Sequence, residues 1–268
     1  MSLFVRSQGL RAALMLTPAL AVILLFFVGG LVVGLGQSVD YMPVIGLRSP
    51  TLRHYADILT DGDFYLSLGL TLYIAFVSTF LATVLALIGA MALRRTFRGS
   101  QIMTTIYQIP LPVPHLVAAA GIAMLLTQSG IMARLSFAAG LINEPAAFPA
   151  LVFDRTYIGV ILVYTWKEAP FIGLVILAVL KGAGLEYEET AQTLGAGPWQ
   201  RFRHVLLPLV MPGVIATSII VFAFLFGSFE IPLLLGVRYP NVLPVTAYRA
   251  YIDPDLTRRP EAMAMGII

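Results

Sequence analysis

KGAGLEYEETAQTLGAGPWQRFRHVLL, residues 181–207, decides how the rest of the chain is read. It lies between the apolar run Tyr157 to Leu180 and another that starts at Pro208. Between them stand Lys181, Glu186, Glu188, Glu189, Arg201 and Arg203, with Gly195 and Gly197 near the centre. Leu185 to Leu194 reads as a short helix whose early acidic residues favour the helix dipole. The two glycines permit a turn with positive φ. Pro198 suits the first position of a second short helix, where its missing N–H would be unpaired anyway. Trp199, Phe202 and Val205 then recur at intervals of three and form one apolar face, with Arg201 and Arg203 directed elsewhere. A polar hairpin between two membrane-length runs is expected of a surface that leaves lipid and is gripped by a water-soluble partner. An ordinary cytoplasmic helical loop would share these features.

Composition sets the class. Of 268 residues, 59% are hydrophobic and 12% charged, with a mean hydropathy of +0.88. Soluble domains carry about 25% charged residues. Several runs exceed the roughly 18 apolar residues of a membrane-span candidate, and the alternating strands of an outer-membrane barrel are not seen. The fold class is therefore all-α, a polytopic membrane bundle. Without cysteine, disulfides, thiolate metal sites and cysteine nucleophiles are excluded. A net charge of +3, scattered along the chain, does not point to nucleic acid and fits membrane lipid headgroups.

Five spans are expected. Ala12 to about Gly36 follows Arg6 and Arg11; the run is longer than the core of a secretory signal, so a retained first span is preferred. Gly30 and Gly34 offer a small face for helix contact. Phe64 to Leu93 stops at Arg94, Arg95 and Arg98. Ile102 to Thr127 contains Pro110, Pro112 and Pro114, which cannot sit in an unbroken helix without freeing carbonyls, so the chain opens there. His115, just after, reads as a packing or capping residue. Ile131 to Leu141 reads as a short interfacial helix. Tyr157 to Leu180 is interrupted by Lys167, Glu168 and Pro170, and Pro208 to about Val237 holds Pro212, Glu230 and Pro232. From Glu261 the chain starts another apolar helix too short to cross about 30 Å of hydrocarbon, so a further span is expected past residue 268. The domains read as 1–63, a first span and outer loop, and 64–268, the main membrane domain carrying the hairpin 181–207.

Charge orients the bundle. Segments 1–11, 94–100 and 181–204 hold eight Lys and Arg in 42 residues, against eight in the 79 residues of the opposite loops. The denser set, including the N-terminus, should face the cytoplasm.

The hairpin also carries a motif. Glu189-Thr190-Ala191, three residues, Gly195, nine residues, then Val205-x-Leu207-Pro208 resembles the EAA motif of type I ATP-binding-cassette (ABC) importer permeases, Glu-Ala-Ala, three residues, Gly, nine residues, Ile-x-Leu-Pro. Thr190 and Val205 are mild departures. The resemblance implies the MetI-like transmembrane domain and a place in the bacterial inner membrane. It makes the hairpin a coupling helix docked on an ATPase, with Glu188, Glu189, Thr190, Ala191, Gly195, Leu207 and Pro208 at or behind the contact and the Trp199/Phe202/Val205 face bracing it. The implied partners are two ATPase subunits that bind ATP and Mg, a second permease subunit of different sequence, and a periplasmic solute-binding protein. This chain has no G-x-x-x-x-G-K-[ST] loop, so it is expected to be no enzyme and to hold no cofactor. Segments 227–236, 239–251 and 253–265 resemble the spermidine/putrescine branch, which implies a polyamine or similar small solute.

Lys167, Glu168 and Glu230 are the charges deepest in apolar sequence. Such groups face a partner or a path, and at 1.5 Å per residue Lys167 lies about 15 Å along its span, within reach of an ion pair with either glutamate. They are candidates for bracing or for lining the translocation path. A secondary transporter driven by an ion gradient would also explain broken helices and buried charges, though it leaves the hairpin without a purpose. A membrane enzyme is the weaker rival, since the chain lacks a histidine cluster, a cysteine nucleophile and a paired-carboxylate motif.

Overall fold

Hydropathy dictates the helices, and prolines and glycines dictate where they stop. The computed structural model describes the backbone of residues 2–95 and 98–268, with side chains omitted for 2–12 and 183–185. The side chains of Arg6 and Arg11 thus lie outside the described residues. The regular structure is helical, apart from an isolated bridge between Met42 and Leu47. In order come α1 (Ser2–Ser38), α2 (Arg53–Thr60), α3 (Gly62–Leu93), α4 (Ser100–Gln108), α5 (His115–Leu126), α6 (Ile131–Ala138) and α7 (Ile158–Val179). Then follow α8 (Leu185–Thr193), α9 (Pro198–Arg201), α10 (Leu207–Gly227), α11 (Glu230–Leu235), α12 (Leu243–Tyr251) and α13 (Arg259–Ile267). Among the described residues, five helical segments are long and apolar enough to cross a membrane: Ala13–Ser38, Gly62–Leu93, His115–Ala138, Ile158–Gly182 and Pro198–Gly227.

Two compact units are present, residues 1–64 with 246–268, and residues 65–245. In the first, α13 packs on α1 and α2. A methyl group on Gly34 would lie 3.7 Å from the Met263 sulfur, whereas Gly30 has nothing within 4 Å, so among the described residues the second glycine of the small-residue face is the one that meets another helix. Tyr55 Oη donates to Ser38 Oγ at 2.8 Å, and His54 Nε2 lies 2.9 Å from Asp40 Oδ1. Both bonds hold α2 to the end of α1.

The second unit is built around α7. Its buried residues include Tyr164, Ile172 and Ile176, and it packs against α5, α10 and α11. Contrary to the sequence expectation, Lys167, Glu168 and Pro170 do not interrupt it. A proline inside a membrane helix is tolerated where neighbours satisfy the carbonyl it frees, and here the two charges just before it grip other elements rather than opening the helix. The proline-rich run does break: α4 ends at Gln108, and α5 starts at His115 with Pro114 as its N-cap. The last long run is also divided. α10 ends at Gly227, Ser228 is extended, and α11 begins at Glu230, with Pro232 in the first turn of α11, where a helix accepts it.

Tyr107 of α4 fills a slot between α3 and α7. A methyl group on Gly173 would overlap the Tyr107 hydroxyl, and one on Gly89 would come within 2.8 Å of its ring. The hydroxyl donates to Ala169 O at 2.9 Å. Gly173→Ala should therefore displace the ring and lower the thermal unfolding midpoint in detergent by the equivalent of about 1–3 kcal/mol. An unchanged midpoint would show that the slot is slack.

Candidate coupling hairpin and buried charges

The hairpin is two short helices set on two widened turns. The backbone passes from α7 into a π-helical turn at Leu180–Gly184, then α8, and returns through α9 and a second π-helical turn at Phe202–Leu206 into α10. The tip is a Schellman turn. Gly195 has φ +85°, its N–H donates to Gln192 O at 3.0 Å, and the Ala196 N–H reaches back to Ala191 O at 3.0 Å, which satisfies carbonyls the helix end would leave open. Gly197 differs from the expectation. Its φ is −68° and it serves as the N-cap of α9, with its N–H donating to Gln200 Oε1 at 2.9 Å. Only one left-handed residue is needed, because the Schellman pair already reverses the chain.

Adjacent glutamates are separated by burial. Glu188 is 2% exposed, while Glu189 and Thr190 face outward. The Glu188 carboxylate accepts from Arg94 Nε at 3.1 Å and Arg94 Nη2 at 2.9 Å, and from Arg95 Nη2 at 2.9 Å. Arg201 Nη1 stands 3.7 Å away and donates to Gln192 Oε1 at 2.6 Å. Arg94 and Arg95, read from sequence only as a topology signal, thus complete the hairpin's ionic core. Thr190 Oγ1 turns back onto Glu186 O at 2.8 Å. Leu207 is half-buried and Pro208 exposed in the first turn of α10. The expected three-residue apolar face is also revised: Trp199 and Phe202 rings touch, with centroids 5.4 Å apart, but Trp199 stays 65% exposed and Leu194 84% exposed. Val205 lies inside the second π-helical turn, where the α-helical spacing does not hold.

The Arg94 hydrogen bonds, and then the nearby guanidinium charges, hold the Glu188 carboxyl below its ordinary range although burial opposes them. A carboxyl whose pKa falls on folding contributes its full stability above the unfolded value and loses it as pH drops through the folded one. Resistance of the hairpin to proteolysis in detergent should be flat through neutral pH and fall only in acid. Glu188→Gln should abolish that acid step; its persistence would assign the step to other carboxyls.

Three consecutive residues of α7 grip both sides of the helix break. Lys167 Nζ donates to Pro110 O at 2.9 Å, Val113 O at 2.6 Å and, more distantly, Leu111 O at 3.4 Å. Glu168 Oε1 lies 3.2 Å from His115 Nε2, and Ala169 O takes the Tyr107 hydroxyl. The ion pair of Lys167 with a glutamate, which depth alone permitted, does not form, since the carbonyls of the proline-rich turn take the ammonium. His115 was expected to pack or cap. It stands at the first position of α5, packs its ring 5.2 Å from that of Phe224, and also meets Glu168. Glu230 is half-buried in the first turn of α11, which packs on α5 and α7.

The family described as binding-protein-dependent transport system inner membrane component matches residues 82–268. This chain belongs to that family. As a permease of the ABC importer type, it is 30% identical over 226 residues to the sulfate transport system permease protein CysT of Salmonella typhimurium, covering 84% of this chain and 78% of that protein. It is 27% identical over 215 residues to the trehalose/maltose transport system permease protein MalF of Thermococcus litoralis, covering 77% and 70%. A chain of the bacterial alginate ABC transporter, solved with an alginate pentasaccharide-bound periplasmic protein, shares the permease fold with TM-score 0.79 at 21% identity, covering 98% of this chain and 88% of that one. Membership places the chain in binding-protein-dependent transport. None of these relatives is named for polyamines.

Proposed function

We propose that this permease forms half of a solute path and is driven through residues 181–207 by a separate ATPase. The observation that carries the reading is the hairpin's outer surface. A glycine-capped turn between the apolar spans displays Glu189, Thr190 and Leu194, with Trp199 exposed at the start of the next segment, and together these side chains form the face we assign to the partner. Two ATPase subunits, binding ATP and Mg, sit beneath this chain and a second, different permease subunit, and a periplasmic binding protein delivers solute from outside. The N-terminus, like the hairpin, faces the cytoplasm. Glu230, unlike Lys167 and Glu168, is not committed to the helix break and is the carboxylate we assign to the path. A small polyamine-like cation suits that carboxylate and the resemblance of segments 227–265; the sulfate relative favours an oxyanion instead.

Crosslinking from Thr190→Cys or Gly195→Cys, in a chain with no cysteine of its own, should capture an ATPase subunit in the assembled transporter. Failure to capture one in a transporter that still works would sink the reading. Competition of spermidine against sulfate for the co-purified binding protein decides the solute class.

A further inference from the structure

Chain continuity joins the hairpin to two membrane helices only, α7 and α10. Beside the apolar core that Leu93 shares with Leu180 and Leu206, its polar link to α3 is ionic. Arg94 and Arg95 directly follow Leu93, the last residue of α3, and both donate to Glu188 on α8. Arg94 is fixed at its own end by a hydrogen bond from Nη1 to Met91 O at 2.8 Å. Among the described residues, the hydrogen bonds and ion pairs between the hairpin and this end of α3 all pass through the Glu188 carboxylate.

We infer that Glu188 is a positioning residue that fastens the hairpin to α3, so that a displacement of the hairpin moves α3 together with α7 and α10. The inference rests on the reading of the hairpin as the ATPase contact and assigns neighbouring side chains opposite duties. Glu189 and Thr190 face out toward a partner, and Glu188 faces in. Two-pronged contact with the Arg94 guanidinium fixes direction as well as distance, which a transmitting joint requires and a merely neutralised charge does not. Stability alone is a weak reason for such a cluster, since well-packed apolar residues often serve a buried site as well or better.

The test uses the chain assembled with its ATPase partner and needs no knowledge of the solute. Spin labels at Ala92→Cys and Ala178→Cys, on exposed positions near the inner ends of α3 and α7, report whether the two helices travel together when ATP and vanadate are added. A label at Thr190→Cys reports the hairpin itself. With Glu188 present, the 92–178 distance should stay single-valued while the Thr190 label responds. In Glu188→Gln the same addition should shift or broaden that distance by about 1–2 Å, the scale of ordinary helix shifts. The exchanged pair Arg94→Glu with Glu188→Arg should narrow it again.

An unchanged distance in Glu188→Gln overturns the inference, as does loss of the ATPase from that variant, which would make Glu188 a docking contact. Should Glu188→Gln not assemble, Arg95→Ala, at a half-exposed arm of the cluster, must give a smaller shift of the same kind, and no shift overturns the inference equally. Failure of the underlying reading looks different: the unaltered assembly then retains no ATPase and its Thr190 label ignores nucleotide.

Discussion

Lys167→Met should insert into the membrane yet unfold in detergent far below the temperature of the parent chain. The ammonium supplies hydrogen bonds to a turn whose three prolines contribute no N–H and whose backbone has left the helical ladder. Pro110 O and Val113 O receive it at 2.9 and 2.6 Å. Methionine keeps the stem and removes the donor. Val113 O, left without a partner, costs about 1–3 kcal/mol, against a total stability on the order of 5–15 kcal/mol for a domain, while Pro110 O keeps only the Val113 N–H at 3.3 Å. Lys167→Arg should recover part of the loss, since the charge and donors remain. Adding Glu230→Gln to Lys167→Met should rescue nothing, because Lys167 serves carbonyls and not that carboxylate. Heat resistance equal to the parent's, measured by size exclusion after heating, would mean that other groups satisfy the turn.

Gly195→Pro should abolish ATP-driven uptake, by at least tenfold, while membrane insertion and folded yield stay near normal. The native φ of +85° is closed to proline, whose ring fixes φ near −65°. Proline also deletes the N–H that donates to Gln192 O. The end of α8 must then rebuild, which moves Glu189 and Thr190 relative to the spans without touching the spans themselves. Gly195→Asn, which tolerates the left-handed conformation, should retain most transport. Uptake by the proline variant at the parent rate would separate the tip of the hairpin from energy coupling.

Local chemistry made much of this legible in sequence. Apolar runs announce spans because lipid leaves the backbone no alternative to the helix, and three prolines in five residues announce a break. Pro198 at a helix start and Gly195 in a left-handed turn follow from covalent geometry alone. Partners were not legible. Lys167 bonds to residues more than fifty positions earlier, Glu188 to residues more than ninety positions earlier, and periodicity shows only which face a side chain occupies. Glu188 and Glu189 are chemically identical neighbours, and nothing local says which one turns inward. The packing of α13 on α1 and α2 was hidden for the same reason. Pro170 misled in the other direction: a residue that stops helices in water sits inside an unbroken α7, where the membrane raises the cost of abandoning the helix.

A π-helical turn contains one residue more than the α-helical winding it interrupts. Leu180–Gly184 and Phe202–Leu206 each store such a spare residue at a root of the hairpin. Deleting one residue from either would restore uninterrupted winding and leave the flanking helices in phase, whereas a deletion elsewhere in α7 or α10 rotates everything beyond it by about 100°. The reach of the hairpin is thereby adjustable at two points, by single-codon loss, without disturbing which faces of the spans look toward lipid and which toward protein.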